Sequence, residues 1–342
     1  MGLDKNSGIN IGSIKKGKRN LITDVDGVKV GHVTLNDGII KTGVTAILPH
    51  EGNLFKEKVM ASSCIINGFG KTAGLIQVEE LGTIETPIIM TNTLSVGTAT
   101  EGLIRYMLSE NDDIGTTTGT VNCLVTECND GKLNDIRGLH VKEEHVLQAI
   151  KNAQSDFEEG AVGSGTGMVC FGLKGGIGSS SRVIELDNKE YTIGALVMSN
   201  FGSKKNLTIN GDKIGERIVE KENNDKDQGS IIIIIATDIP LSERQLKRVS
   251  KRATVALSRT GSYLGNGSGD ICISFTTANK IKHYSDTKIV NIKMIDENAI
   301  EEVFKAVADA VEESIISSMY HAKTTTGMNN ITIKSLREYL NN

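Results

Sequence analysis

One junction in the sequence, Gly229-Ser230, most constrains how this chain can fold. A polar run at 221–228 (Lys-Glu-Asn-Asn-Asp-Lys-Asp-Gln) precedes the junction, and five consecutive isoleucines at 231–235 follow it. A short β-branched run bounded by turn residues predicts a strand that is buried on both faces. A solvated loop therefore leads directly into the core, and the Ser230 hydroxyl lies where the two meet. This is a rigid position that suits a nucleophile.

The same junction has the chemistry needed for self-cleavage. A freed α-amine titrates near ~8 and can take the proton of a neighbouring hydroxyl, provided that the chain is cut just before that residue. Gly229 lacks a Cβ, so its carbonyl can adopt strained conformations close to the Ser230 hydroxyl. The alternative is that Gly-Ser simply ends a loop. The local residues leave both interpretations open.

Composition excludes several other classes of protein. The 342 residues carry a net charge of −4, which argues against nucleic acid as a main partner. No run approaches the ~18 apolar residues of a membrane helix, and the polar residues 1–20, predicted to be a loosely held tail, contain no signal-peptide pattern. The five cysteines form no C-x-x-C pair, which favours buried free thiols in a reducing compartment. We therefore expect a cytoplasmic protein without membrane contact.

Periodicity predicts an α+β protein. Strand patterns dominate the first part of the chain, and glycine-rich turns surround residues 160–178. Ser242 and Gln245 form a capping-box pattern that opens a helix predicted to end at Gly261. A last long helix is predicted at 297–322. Because strands and helices cluster instead of alternating, the pattern favours layers of helix and sheet over a doubly wound sheet.

Common catalytic motifs are missing from the sequence. The Gly70-Lys71-Thr72 triplet lacks the first glycine of a P-loop, because position 65 is Ile. The glycines at 163–167 do not complete a dinucleotide fingerprint, and no G-x-S-x-G or H-E-x-x-H occurs. The six histidines do not cluster with carboxylates, so a Ser-His-Asp triad is not expected. Any nucleophile must be activated in another way.

Several segments resemble the self-processing DmpA-type L-aminopeptidase/D-esterase and β-peptidyl aminopeptidase family. The run Gly229-Ser-Ile-Ile-Ile-Ile-Ile-Ala-Thr-Asp-Ile-Pro-Leu241 is similar to the start of the family's β-chain. Other similar segments occur in the family's order across roughly 20–330. These are 43–49, 87–96, 133–136, 163–167, 174–178, 200–202, 245–248, 259–262 and 266–270.

The resemblance implies a fold and an assembly. The fold is a four-layer αββα sandwich of the DmpA/ornithine-acetyltransferase type, which resembles the N-terminal-nucleophile (Ntn) hydrolases by convergence. The chain 1–342 would form one hydrolase domain, cut into an α-chain 1–229 and a β-chain 230–342 that remain associated. The αβ units would form a homotetramer. No metal or organic cofactor is implied.

The resemblance also assigns roles to individual residues. Ser230 matches the nucleophile and Gly229 the residue before the cleaved bond. Ser268 and Asp270 match the Ser and acidic residue that orient the nucleophile, and their i, i+2 spacing places both on one face of a strand. Asn200 matches the oxyanion-stabilising amide. Without the resemblance, ordinary turns would be the favoured interpretation of Asn200, Ser268 and Asp270.

The roles of two lysines, and with them the substrate class, are left undetermined by the sequence. Lys132 stands where many relatives carry a Tyr that assists at the oxyanion or substrate, and a Lys can donate to an oxyanion or bind a substrate carboxylate. Lys174 lies in a motif that borders the site in relatives, and catalytic and structural roles remain open for it. The implied activity is a self-processing serine aminopeptidase or amidase acting on short peptides, amides or esters. The alternatives are an ω-amino-amide (nylon-oligomer-type) hydrolase, an acyltransferase of the same fold, or an unprocessed member that only binds.

Overall fold

The computed structural model describes residues 2–3, 8–218 and 228–340. The polar loop predicted at 221–228 lies outside the described residues, except for Gln228, at which a strand begins. The described strands are β1 (Lys29–Asp37), β2 (Ile40–Leu48), β3 (Glu57–Gly68), β4 (Thr83–Ile84), β5 (Ile88–Asn92), β6 (Leu124–Cys128), β7 (Val169–Cys170), β8 (Leu173–Lys174), β9 (Gly176–Leu186), β10 (Lys189–Asn200), β11 (Gln228–Thr237), β12 (Gly267–Lys282), β13 (Thr325–Thr326) and β14 (Thr332–Ile333).

The described helices range from single turns to one long helix that lies late in the chain. They are α1 (Leu75–Leu81), α2 (Val96–Glu110), α3 (Glu143–Lys151), α4 (Ile214–Ile218), α5 (Glu243–Ser250), α6 (Ala253–Arg259), α7 (Ile300–His321) and α8 (Arg337–Leu340).

Two sheets form the centre of the fold. The four-stranded sheet has the order β1-β2-β5-β6, and the six-stranded sheet has the order β4-β3-β12-β11-β10-β9. Neighbours are antiparallel except β5 with β6 and β11 with β12, which are parallel. The strand that begins at Gln228 therefore lies inside the larger sheet, between β10 and β12.

Three hydrophobic clusters define four layers. One cluster lies between the sheets and joins residues such as Ile47 and Met90 to Ile234. A second covers the outer face of the six-stranded sheet, against which α5 and α7 pack. The third covers the outer face of the four-stranded sheet, against which α2 and α3 pack. The order is helix, sheet, sheet, helix, which confirms the predicted αββα sandwich.

The isoleucine run is buried on both faces, as predicted. Ile231, Ile233 and Ile235 point into the cluster under α5 and α7, whereas Ile232 and Ile234 point between the sheets. All five side chains have no solvent exposure. Full burial of such a side chain contributes about 1.5–3 kcal/mol, so this strand anchors the residue at its start firmly.

The helix predicted after Ser242 is two helices in the structure. The capping box forms: the Ser242 hydroxyl accepts the Gln245 N–H at 3.3 Å, and the Gln245 side chain accepts the Ser242 N–H at 3.2 Å. However, α5 ends at Ser250 and α6 begins at Ala253. The apolar positions continue through the break, so the sequence pattern does not reveal it. The last long helix begins three residues later than predicted, at Ile300.

The prediction of a loosely held N-terminal tail is wrong for its described part. Ile11 is buried in the cluster under α7, and its carbonyl accepts a bond from the Arg182 guanidinium at 2.8 Å. The Lys16 ammonium binds the buried Glu313 carboxylate at 2.8 Å. These partners lie more than 150 residues away in the sequence, which is why composition alone suggested a free segment.

Candidate active site

Ser230 lies near the start of β11, with 6% of its surface exposed. Its Oγ donates to the carbonyl oxygen of Gly229 at 2.7 Å. The same Oγ accepts the N–H of Gly269, on the neighbouring strand β12, at 3.2 Å. The hydroxyl is therefore held directly against the peptide bond that joins Gly229 to Ser230.

Gly229 is a position that accepts no side chain. Its φ is +126°, in a region that L-residues other than glycine rarely adopt. A Cβ there would stand 1.9 Å from the carbonyl oxygen of Asn200, which is backbone and cannot rotate away. The glycine therefore permits the close approach between the strand start and the end of β10.

Asn200 is the last residue of β10 and the Cα partner of Ser230 across the antiparallel ladder. Its Oδ1 accepts the Val169 N–H at 2.9 Å, and its Nδ2 donates to the carbonyl of Asn129 at 3.0 Å. These two bonds fix the amide plane. An amide nitrogen carries two hydrogens, so a second N–H is available beside the nucleophile.

Ser268 and Asp270 occupy the start of β12. The parallel register places Gly229 opposite Ser268, and Ile231 opposite Asp270. The Ser268 hydroxyl donates to Asp270 Oδ1 at 2.5 Å, and the Asn67 amide donates to Asp270 Oδ2 at 3.1 Å. Both residues are 2% exposed. Because the Ser268 hydroxyl donates a hydrogen bond to the carboxylate, the lone pairs of the Ser268 oxygen remain able to accept a hydrogen bond.

A cavity of about 830 Å³ opens in front of Ser230. This volume lies within the range of small-ligand sites. It is lined by Phe69, Lys71, Thr93, Glu127, Asn129, Lys132, Val169, Gly172, Asn200, Gly202, Gly229, Ser230 and Gly267. Of the residues predicted from sequence, the lining therefore includes Ser230, Gly229, Asn200 and Lys132, while Ser268 and Asp270 lie buried behind the nucleophile.

Lys174 is placed differently from Lys132. Its side chain is fully buried, and its ammonium donates to the carbonyls of Met168 (2.8 Å), Gly175 (2.7 Å) and Gly165 (3.1 Å). Burial lowers the pKa of Lys174 to about 7. Three acceptors use all three donors of an ammonium, and Lys174 is not among the residues that line the cavity. This geometry favours the structural role that the sequence left open.

Glu127, Thr93 and Lys71 line the cavity but were not among the predicted site residues. The Glu127 side chain is almost fully buried and accepts bonds from the Lys71 N–H (2.9 Å) and from the Thr93 hydroxyl. The sequence signal for these residues was their position at strand ends. Glu127 lies in the buried strand β6, and Thr93 follows directly after β5; these two strands are parallel neighbours. Parallel strands end at the same sheet edge, where sites commonly lie.

Comparison with known proteins identifies the family. The model of peptidase family S58 matches residues 20–333. The chain belongs to peptidase family S58. A curated relative, the β-peptidyl aminopeptidase BapA of Sphingosinicella microcystinivorans, is 38% identical over an alignment that covers 94% of this chain and 86% of the relative.

Solved structures agree with this assignment to S58. The PH0078 protein of Pyrococcus horikoshii superposes with a TM-score of 0.94 at 57% identity, covering 98% of this chain and 96% of that chain. The L-aminopeptidase D-Ala-esterase/amidase of Ochrobactrum anthropi superposes with a TM-score of 0.89 at 34% identity, covering 96% and 94%. The latter is described as a prototype for the serine aminopeptidases and a variant among the Ntn hydrolase fold. The S58 chain is thus a peptide-bond hydrolase with this fold.

Two further properties of the S58 chain concern its described residues alone. None of the helices within 2–3, 8–218 and 228–340 combines the length and hydropathy of a membrane span. Within the same ranges, His, Cys, Asp and Glu side chains do not gather in groups of three or more that could hold a metal ion.

Proposed function

We propose that this chain is a self-processing serine aminopeptidase whose nucleophile is Ser230. The observation that carries the proposal is the 2.7 Å contact between the Ser230 hydroxyl and the Gly229 carbonyl, beside the amide of Asn200. Attack of Oγ on the Gly229 carbonyl carbon converts the peptide bond into an ester and frees the Ser230 amine. Water then hydrolyses the ester, leaving a Gly229 carboxylate and an N-terminal Ser230.

In the processed enzyme, the Ser230 α-amine acts as the general base. It takes the proton of the Ser230 hydroxyl as Oγ attacks the substrate carbonyl, and it returns that proton to the leaving amine. The Asn200 N–H stabilises the oxyanion of the tetrahedral intermediate. Ser268 lies opposite the cleaved position in β12. The Ser268 oxygen can accept a hydrogen bond from the new amine, because the Ser268 hydroxyl donates its own hydrogen bond to Asp270. Water then releases the acyl group.

Glu127 is the group that we assign to the free amine of the substrate. It is the one carboxylate among the described residues that line the cavity, and two donors, Thr93 and the Lys71 N–H, hold it in place. A buried carboxylate gains strongly from a charge-assisted bond to an ammonium. Recognition of that ammonium would limit the enzyme to the first residue of a peptide.

The sheet supports continued association of the two products. The β-chain would begin inside β11, at Ser230. From there β11 is hydrogen-bonded to β10 of the α-chain, and β12 is hydrogen-bonded to β3 of the α-chain. All four strands share the apolar clusters on the two faces of the sheet. Cleavage at residue 229 would therefore separate the chains covalently without separating the layers.

A denaturing gel, run beside an assay with aminoacyl-p-nitroanilides, tests the proposal. Wild-type enzyme should give two bands of about two-thirds and one-third of the mass, together with turnover. Ser230→Ala should give one band and no turnover. A single full-length band in a wild-type preparation that turns over fully would contradict the mechanism that uses the α-amine.

A further inference from the structure

Among the described residues that line the cavity in front of Ser230, positive charges outnumber negative ones. Its lining includes two lysines, Lys71 and Lys132, and a single carboxylate, Glu127, within the described residues. The Glu127 carboxylate is already oriented by Thr93 and by the backbone N–H of Lys71, not by a lysine ammonium. Glu127 therefore does not neutralise the ammonium groups of Lys71 and Lys132.

Within residues 2–3, 8–218 and 228–340, both Lys71 and Lys132 lack an ion pair to a carboxylate. The Lys71 ammonium lies over the ring of Phe69, 4.4 Å from its centroid, and both residues are exposed. The attraction of a cation to an exposed ring is weak, so the Lys71 side chain can turn toward an anion that enters the cavity.

The two lysines come from different segments that both border the catalytic residues. Lys71 lies shortly after β3, and the nearby Phe69 N–H donates to the Ser268 carbonyl of β12 at 3.2 Å. Lys132 lies in the turn after β6, and the same turn supplies the Asn129 carbonyl that fixes Asn200. An anion between Lys71 and Lys132 would therefore lie within the same small cavity as the nucleophile and the oxyanion donor.

We propose that Lys71 and Lys132 form a carboxylate subsite on the leaving-group side of the scissile bond. This inference rests on the proposed function, because it takes Glu127 as the site of the substrate ammonium. The preferred substrates are then short zwitterionic peptides, with the ammonium at Glu127 and a carboxylate at the two lysines. The carboxylate can be the C-terminus of a dipeptide or the acidic side chain of the second residue.

Three matched substrates test the subsite and distinguish the two carboxylate sources. They share one N-terminal residue X, chosen as the residue released fastest from its p-nitroanilide: X-Gly, X-Gly-NH₂ and X-Asp-NH₂. Wild-type enzyme should show a kcat/KM about tenfold higher for X-Gly than for X-Gly-NH₂, since each exposed ion pair contributes a few-fold. If X-Asp-NH₂ is cleaved as fast as X-Gly, a side-chain carboxylate on the second residue can occupy the subsite. If X-Asp-NH₂ is cleaved as slowly as X-Gly-NH₂, the subsite binds the C-terminal carboxylate.

Variants assign the preference to the two lysines. Lys132→Met and Lys71→Met should each reduce the X-Gly to X-Gly-NH₂ ratio, and the double variant should bring it close to one. Lys132→Arg should retain the ratio. Lys205→Met, which removes an exposed lysine outside the cavity, is the charge-matched control and should leave ratio and activity unchanged.

The outcomes separate this inference from the proposed function. A wild-type ratio near one, or a ratio that survives in the double variant, overturns the carboxylate subsite while the aminopeptidase stands. A wild-type enzyme that releases X from none of the three substrates and from no p-nitroanilide overturns the proposed function itself.

Discussion

Asn200 and Ser230 are Cα partners across the antiparallel strands β10 and β11, and the backbone carbonyl of Asn200 occupies the space that a side chain on Gly229 would need. One ladder pair thus brings together the proposed nucleophile, the proposed oxyanion donor and the bond to be cut. The pairing fixes these groups through strand backbone instead of through loops. Groups held in this way need little reorganisation during reaction.

The amide of Asn200 can be tested with a nearly isosteric change. Asn200→Asp retains the oxygen that accepts the Val169 N–H but removes the N–H donors. We expect kcat of the folded enzyme to fall by about 10²–10³, the usual effect of losing one oxyanion donor. The melting temperature should also fall, because the new carboxylate oxygen would face the Asn129 carbonyl, which loses its donor. Steady-state kinetics measure the effect, and Asn291→Asp at an exposed position is the control. A kcat within threefold of wild type would remove Asn200 from the mechanism.

Gly229→Ala should strongly slow self-cleavage. The new Cβ would clash with the Asn200 carbonyl at 1.9 Å and would require a φ that alanine disfavours, so the carbonyl must move away from the Ser230 hydroxyl. The fraction of full-length chain over time, followed on denaturing gels, measures the effect. Gly97→Ala is the matched control, because a Cβ there meets no atom within 4 Å. Cleavage of Gly229→Ala at the wild-type rate would contradict the strained arrangement.

Glu127→Gln should raise KM for substrates that carry a free amine. The neutral amide keeps the size of the side chain but loses the charge-assisted bond, and we expect a 10–100-fold increase in KM with a smaller change in kcat. An N-acetylated substrate, which lacks the ammonium, serves as the control and should be cleaved poorly by both enzymes. If the variant retains wild-type KM, the ammonium is bound elsewhere.

Lys174→Met distinguishes the structural from the catalytic interpretation of this lysine. The variant removes a donor from the buried carbonyls of Gly165, Met168 and Gly175. The first two keep backbone N–H donors, at 3.2 and 3.0 Å, so the Gly175 carbonyl loses most. An unsatisfied buried group costs about 1–3 kcal/mol, and the free energy of unfolding should fall by about this amount in urea titrations. Among molecules that remain folded, kcat should change less than tenfold. A loss of 10² or more in kcat with unchanged stability would instead support a catalytic Lys174.

Local patterns predicted the features that depend on neighbouring residues. The isoleucine run predicted a strand buried on both faces, and Ser242 with Gln245 predicted a helix start; both predictions are confirmed. The αββα layers followed from the family resemblance, and only the coarser α+β class followed from periodicity. The division between α5 and α6 was missed because apolar spacing continues across it.

The sequence could not predict features that depend on contacts between distant segments. Ile11 is buried because Arg182 and α7 lie over it, and nothing near Ile11 in the sequence indicates this. Glu127 borders the cavity because β5 and β6 end together, and Lys174 is buried because three carbonyls of the surrounding turns converge on it. Each depends on strand pairing or loop packing that local periodicity does not encode.

In the proposed mechanism, Ser230 becomes an N-terminal residue, and this step creates the active enzyme. The most direct test follows freshly purified chain over time, measuring intact masses and p-nitroanilide turnover in the same samples. We expect one fragment that ends at Gly229 and one that begins at Ser230, with turnover rising in proportion to the cleaved fraction. Turnover that is already complete while the chain is full-length, or cleavage at another bond, would contradict it.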